Sequence, residues 1–397
     1  MTTFYSDGVL MQPTDEDRFN DAMLKATSEA NGWHEKNSAN LQSSQPKPRV
    51  CIDSLTSAEF AAREYRYQYH VEGCVSYREP GVIGGASKTL KTGISIDLAL
   101  SLGFGSPFLG RFQTTQTTVG IISGESGERT LQETSKRQAL AKGRLLSSAD
   151  VHWSFRCPCL LDPTWRVALT TWVKERNIQF LVIDPAYLAL LTPDVAKGAS
   201  NLLVMGAALR GFSEVIAETD VSVWLNHHVS KGQARLNSVG NDPPDLQDLS
   251  MSGFSEFARQ WMMVGRREKY EIGTGEHRLW LNVGGSAGHG GLYALDIDEG
   301  RLDDEGGRRW DVTVRDAAEA RTSEASEREA EKREQACDKV LDYLRRYPDG
   351  QTLRALRDDV GNSQPIKDAV NYLKGIGEVI ESEIIKNKRP ERALKLV

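Results

Sequence analysis

The chain is 397 residues long, with 39% hydrophobic and 26% charged residues and a formal net charge of −6. That composition is ordinary for a globular protein and allows a sizeable core, so neither disulfides nor a structural metal is required to hold it together. No run approaches ~18 uninterrupted apolar residues, which excludes a membrane-spanning helix. The mild acidity excludes a protein that coats nucleic acid over its whole surface but leaves room for a local basic site.

The opening residues 1–19 lack a basic region followed by an apolar run and do not read as a secretory signal. Five scattered cysteines (Cys51, Cys74, Cys157, Cys159 and Cys337) read as a reduced, cytoplasmic protein. Cys157 and Cys159 are a close pair with no second pair at zinc spacing, so no metal site is expected there. Residues 1–53 are rich in Ser, Asn, Gln and Lys and read as a flexible N-terminal arm, with one short helix around Asp15–Ala30.

From residue 54 to residue 314 short apolar runs alternate with amphipathic stretches. Gly120-Ile121-Ile122, Phe180-Leu181-Val182-Ile183 and Val221-Ser222-Val223-Trp224-Leu225 read as buried parallel strands, with helices over 165–175 and 199–217 between them. The alternation predicts an α/β fold, a parallel sheet covered by helices on both faces. Residues 315–336 are charged nearly all round and read as a solvated helical linker rather than a coiled coil. Residues 337–397 read as helices over 338–347, 351–360 and 363–376 followed by a hairpin, the pattern of a small winged-helix domain.

The strongest motif is Gly81-Val82-Ile83-Gly84-Gly85-Ala86-Ser87-Lys88-Thr89-Leu90-Lys91-Thr92. It fits a P-loop, with Gly85 in the first glycine place, Lys91 as the lysine and Thr92 as the hydroxyl. Residues Gly84 to Thr92 would surround the phosphates of ATP, Lys91 would neutralise them and Thr92 would ligate Mg²⁺. Leu90 stands where the last glycine belongs, a place that favours glycine's backbone freedom. The register through Lys88 and Thr89 is poorer, because Val82 and Ser87 would replace both glycines. A Gly-rich turn with chance lysines is the plain alternative.

Downstream features favour the P-loop. Phe180 to Asp184 is a hydrophobic strand ending in a carboxylate, the Walker B pattern, which places Asp184 beside Mg²⁺. The strand before it ends at Ser123-Gly124-Glu125. A Glu at that edge can polarise an attacking water, and Glu125 is the choice. Glu128 lies one turn further on and suits the following helix start. A fourth strand ends in Asn226-His227-His228, where His227 and His228 are candidate γ-phosphate sensors.

Together these edges resemble the RecA-like P-loop ATPases, and within them the RepA/DnaB-type replicative helicase branch. The strings GGASKTLKTGISIDLALSLGFGSPFLGRF, SGESGERTLQE, IDPAYLALL, NHHVSKG and GGSAGHGGLYALD carry the likeness, over roughly Tyr77 to Glu299. The stretch Asp248 to Gln260 is similar to one that in those helicases leads into a strand carrying an Arg. The resemblance implies a homo-oligomeric ring in which a neighbour's basic residue reaches the nucleotide. The usual Lys-x-Arg pair is replaced here by the Gly-rich stretch around Leu281 to His289, which leaves Arg259, Arg266 or Arg267 for that role. It also implies that the loop of residues 231–244 meets single-stranded DNA, with Lys231 and Arg235 as phosphate contacts.

Residues 339–397 carry twelve Lys and Arg against nine Asp and Glu, a surplus of three on an otherwise acidic chain. The wing tip bearing Lys386, Lys388 and Arg389 is a candidate contact with duplex DNA. The functional expectation is an ATP-hydrolysing ATPase acting on DNA. The alternatives are a nucleotide-gated regulator with slow turnover and a non-enzymatic DNA-binding protein.

Overall fold

The computed structural model describes residues 5–6, 9–10, 54–190, 192, 195, 197–233, 242–361, 363–386 and 389–397. The expected helix near Asp15–Ala30 lies outside them, as do Cys51, Arg235 and Lys388. The described residues up to 66 belong to one unit and those from 67 onward to another.

In the first unit, β1 (Tyr5–Ser6) pairs antiparallel with β2 (Val9–Leu10). Helix α1 (Ser57–Ala62) begins with a capping box: Thr56 caps the Glu59 N–H while the Glu59 carboxylate accepts from the Thr56 N–H.

The second unit is built on a nine-stranded sheet. A short hairpin of β3 (Tyr69–Val71) and β4 (Val75–Ser76) leads into β5 (Gly81–Gly85). Then follow α2 (Lys91–Phe104), β6 (Val119–Ser123), α3 (Glu128–Ala141), β7 (Val151–Ser154) and α4 (Pro163–Glu175). Next come β8 (Phe180–Asp184), α5 (Ala186–Leu190), α6 (Leu202–Thr219) and β9 (Ser222–His228). The last part of the sheet is α7 (Phe254–Phe257), β10 (Gln260–Arg266), β11 (Glu276–Gly285), β12 (Gly290–Asp298) and β13 (Asp311–Asp316). The strand order is β13-β12-β11-β10-β5-β9-β8-β6-β7. Strands from β10 to β7 in that order are mutually parallel, and β11, β12 and β13 extend the sheet antiparallel. The expectation of a parallel sheet therefore needs this antiparallel addition.

The apolar runs explain the layers. Side chains alternate across a strand, so Val82, Ile122, Leu181, Ile183, Val223 and Leu225 face one way and Ile83, Ile121, Val182 and Trp224 the other. The first set packs on Leu169 and Val173 of α4 and on Met205, Leu209, Phe212 and Val215 of α6. The second packs on Ile94, Leu98 and Leu102 of α2. Both faces are buried, which is why these strands read as unbroken hydrophobic runs. Gly81 makes the close packing possible, since a Cβ there would come within 2.2 Å of the Trp224 ring.

The expected linker and the expected helix after it are one element, α8 (Ala317–Arg345), 29 residues and about 43 Å long at 1.5 Å per residue. Ala317 and Ala320 pack with Trp280 and Ala294 of the large sheet. Ala336, Cys337, Val340, Tyr343 and Leu344 enter a separate C-terminal core. Helices α9 (Leu353–Val360) and α10 (Gln364–Gly375) complete that core beside a small sheet of β14 (Gln351–Thr352), β16 (Arg389–Leu396) and β15 (Val379–Lys386). The break expected between residues 336 and 337 lies inside α8, because helix propensity runs unbroken through a stretch free of Pro and Gly.

Candidate functional site

Parallel strands bring their carboxyl ends to one edge, so Gly85, Ser123, Asp184, His228 and Arg266 end at the same side of the sheet. A cleft of about 850 Å³ opens there, lined by Lys91, Thr92, Glu125, Asp184, His228 and Arg266 among others.

Gly84 and Gly85 are the last residues of β5, not part of the free loop. A Cβ on Gly85 would lie 2.5 Å from the Val264 carbonyl oxygen, and one on Gly84 would lie 2.4 Å from Met263 Sδ. Both glycines let the neighbouring strand approach. Ala86 is buried and its carbonyl accepts from Thr89 Oγ1 at 2.9 Å, while Ser87 and Lys88 are exposed to the cleft. Lys88 and Leu90 have φ of 61° and 62°, the left-handed region. Leu90 thus takes up the backbone shape that glycine would adopt, at a cost of roughly 1–2 kcal/mol. Its side chain is half-buried against the core beneath α2, which offsets that cost.

Lys91 is buried and its Nζ donates to the Gly85 and Ala86 carbonyls at 3.0 and 2.7 Å. The ammonium also lies 3.3 Å from His228 Nδ1. Burial pushes its pKa down to about 8, against the pull of Asp184 and Glu125. Thr92 Oγ1 donates to Asp184 Oδ2 at 2.6 Å. Burial raises the Asp184 pKa, and the hydrogen bond from Thr92 opposes that rise. A buried carboxylate beside a hydroxyl is a set of hard oxygen donors, and it fits Mg²⁺. Asn226, on the strand between β5 and β8, accepts from Ser95 Oγ at 2.8 Å. Glu125 is exposed at the cleft, and its Oε1 accepts from Tyr187 Oη at 2.5 Å. Glu128 opens α3, in whose first turn its charge suits the helix dipole.

The two histidines differ. His228 faces the cleft. His227 points away from it: its Nε2 lies 2.7 Å from the Ser250 carbonyl and its ring stacks on Phe254 at 3.8 Å. Burial lowers its pKa to about 4. It is therefore a neutral core group, packed on the face opposite α2.

The arginines differ likewise. Arg266 ends β10 beside the loop, donates to the Lys88 carbonyl at 3.1 Å and lies 5.2 Å from the centre of the Tyr270 ring. Tyr270 in turn stacks on His277. Arg267 alternates to the other face, where it is buried and paired with Asp296 and Glu324. Arg259 precedes β10 and sits at the opposite edge of the sheet, where its N–H donates to the Pro80 carbonyl. Lys231 is exposed in a short helical turn after β9. Lys386 and Arg389 flank the tip of the β15–β16 hairpin, with Arg389 exposed. Among the described residues no cluster of His, Cys, Asp and Glu could hold a metal by itself, and Cys157 and Cys159 are free thiols. No described helix is long and apolar enough to cross a membrane.

Sequence reasoning missed Tyr270 and His277 as cleft groups, and Tyr187 and Ser95 as partners of Glu125 and Asn226. The signal for Asn226 itself was its place at the end of a strand already assigned to the active edge.

The large mixed sheet with helices on both faces fits a RecA-like core, and the loop after β5 fits a P-loop. Residues 46–234 match a family described as an AAA domain, which supports a RecA-like P-loop ATPase core in that part of the chain. No curated protein matches the chain. Among solved structures, an ATPase domain aligns at 16% identity and a TM-score of 0.41, over 55% of this chain and 81% of its own. A KaiC-like protein from the archaeon Pyrococcus horikoshii aligns at 14% identity and a TM-score of 0.39, over 62% and 93%.

Proposed function

We propose that this protein is an ATP-hydrolysing RecA-like motor of the RepA/DnaB-like kind that acts on DNA. One observation carries the hydrolytic part: Lys91, Thr92, Glu125 and Asp184 come from three separate strand ends and converge on one cleft. Lys91 meets the β- and γ-phosphates, and Thr92 with Asp184 holds Mg²⁺, which supplies charge neutralisation at the transferred phosphoryl group. Glu125 orients the attacking water from the exposed side of the cleft. His228, beside Lys91, is placed to sense the γ-phosphate. A neighbouring subunit in a ring completes the charge stabilisation. Arg266 lines the cleft of its own subunit and Arg267 is held inside by two carboxylates, so Arg259, on the far edge, is the group free to serve a neighbour.

The DNA part rests on charge and shape. The C-terminal module has the helix content and hairpin of a winged helix, with Arg389 exposed beside the hairpin tip and Lys386 and Lys388 next to it in sequence. With Lys231 and Arg235 these residues form the proposed phosphate contacts. The test is the ATPase rate with and without single-stranded DNA, alongside Lys91→Ala. Stimulation by DNA that is lost in the variant is expected. Turnover retained in Lys91→Ala would reject the assignment.

A second reading, a nucleotide-gated regulator with slow turnover, is favoured by the turn between β11 and β12. The end of β11 and that turn read Gly284-Gly285-Ser286-Ala287-Gly288-His289 and offer no basic pair to a neighbour. Absence of ATP-dependent strand separation on a forked duplex would favour it.

A further inference from the structure

Glu125 follows the end of β6, and among the described residues its side chain accepts one hydrogen bond, from Tyr187 Oη at 2.5 Å. Tyr187 lies three residues beyond Asp184, in the short helix α5 that leaves β8. The two strand ends are joined by their backbones, because the Gly124 N–H donates to the Asp184 carbonyl at 2.8 Å. They are also closely packed: a Cβ on Gly124 would lie 2.8 Å from Leu188 Cδ1 and 3.0 Å from Cys157 Cβ. The Tyr187 hydroxyl is thus brought to the Glu125 carboxylate by a built corner of the fold. The tyrosine ring also lies 6.4 Å from the ring of His228, which touches Lys91.

An exposed glutamate has three free side-chain torsions, and a general base acts only when its oxygen meets the proton it takes. We propose that Tyr187 is the positioning residue for Glu125, holding one carboxylate oxygen so that the other is turned toward the water it activates. The inference rests on the hydrolytic reading above. The tyrosine does not touch the reacting atoms: the water proton passes to the free oxygen of Glu125, and the Tyr187 proton stays on its own oxygen. The hydrogen bond to Glu125, together with burial, pushes the Tyr187 hydroxyl up to about 12, so it remains a donor throughout the neutral range.

The experiment compares full-length wild type, Tyr187→Phe, Glu125→Gln and the double variant by kcat and KM for ATP. Affinity for a fluorescent ATP analogue and thermal melts are measured alongside. Tyr187→Phe keeps the half-buried ring and removes only the donor. Its kcat is expected to fall about tenfold, with KM and analogue affinity changed less than about twofold, the pattern of a group that acts in the chemical step. In the Glu125→Gln background the same change should cost nothing further, since the two residues act as a unit. An active wild type whose kcat is unchanged by Tyr187→Phe overturns the proposal alone. So does a loss that multiplies with that of Glu125→Gln. A wild type without turnover overturns the hydrolytic reading and the proposal together.

Discussion

Thr92 Oγ1 donates to Asp184 Oδ2 at 2.6 Å, and this contact joins the start of α2, which follows β5, to the end of β8 although another strand lies between β5 and β8. Burial raises the pKa of Asp184, so ionising it costs more in the folded chain than in the unfolded one. A carboxylate with a raised folded pKa adds stability at low pH and loses it as pH rises through its titration. Asp184→Asn keeps an acceptor for Thr92 and removes the charge. The melting temperature at neutral pH is expected to equal or exceed that of the wild type, while Mg²⁺-dependent ATP binding weakens by about tenfold or more. A variant that melts lower and still binds Mg²⁺-ATP would contradict this account.

Lys91 titrates near pH 8 in the free protein because burial disfavours its charge. A bound polyphosphate restores the preference for the ammonium. ATP binding should therefore take up a proton around that pH and weaken as pH rises above about 8. Calorimetry in buffers of different ionisation enthalpy measures the uptake. The same lysine works against folding at lower pH: its folded pKa lies below the unfolded value, so the cost is present below about 8 and is relieved as pH climbs toward the ordinary lysine range.

Leu90 holds φ at 62° in a place that suits glycine. At ordinary helix positions glycine is less stable than alanine by roughly 0.5–1 kcal/mol. Here the order should invert. Leu90→Gly and Leu90→Ala lose the same packing, but only glycine relieves the left-handed strain. Urea denaturation should show Leu90→Gly the more stable of the two by about 1 kcal/mol. Equal midpoints would mean that the loop relaxes around alanine.

Gly85 has no room for a methyl group, with the Val264 carbonyl oxygen 2.5 Å and Thr89 Oγ1 2.8 Å from where its Cβ would lie. Backbone cannot yield as a flexible side chain does. Gly85→Ala is expected to lower stability by about 1–3 kcal/mol and to displace the loop from the phosphates. Denaturant unfolding and ATP affinity check the two effects separately.

Much of the architecture was legible from periodicity. The strands Phe180–Asp184 and Val119–Ser123 lie within a residue or two of their apolar runs, because both faces of the sheet are buried and the runs are unbroken. The loop was legible because its glycines, lysine and threonine are adjacent in the chain. The antiparallel strands β11 to β13 were not, since their half-exposed faces interleave polar residues. The continuity of α8 was hidden by a change from a charged to an apolar surface, which alters its partner and not its conformation.

Sequence by itself determined which local segments are strand, loop and helix, and which residues could bear the chemistry, because backbone propensity and apolar period are properties of neighbours in the chain. Only the tertiary structure decided which of those residues meet. His227 and His228 are adjacent, yet one stacks on Phe254 and the other touches Lys91, because side chains alternate across β9. Arg266 and Arg267 divide in the same way, one to the cleft and one to Asp296 and Glu324. The Tyr187–Glu125 contact depends on β8 lying beside β6. Strand order is set by the packing of the whole sheet, and no local pattern encodes it.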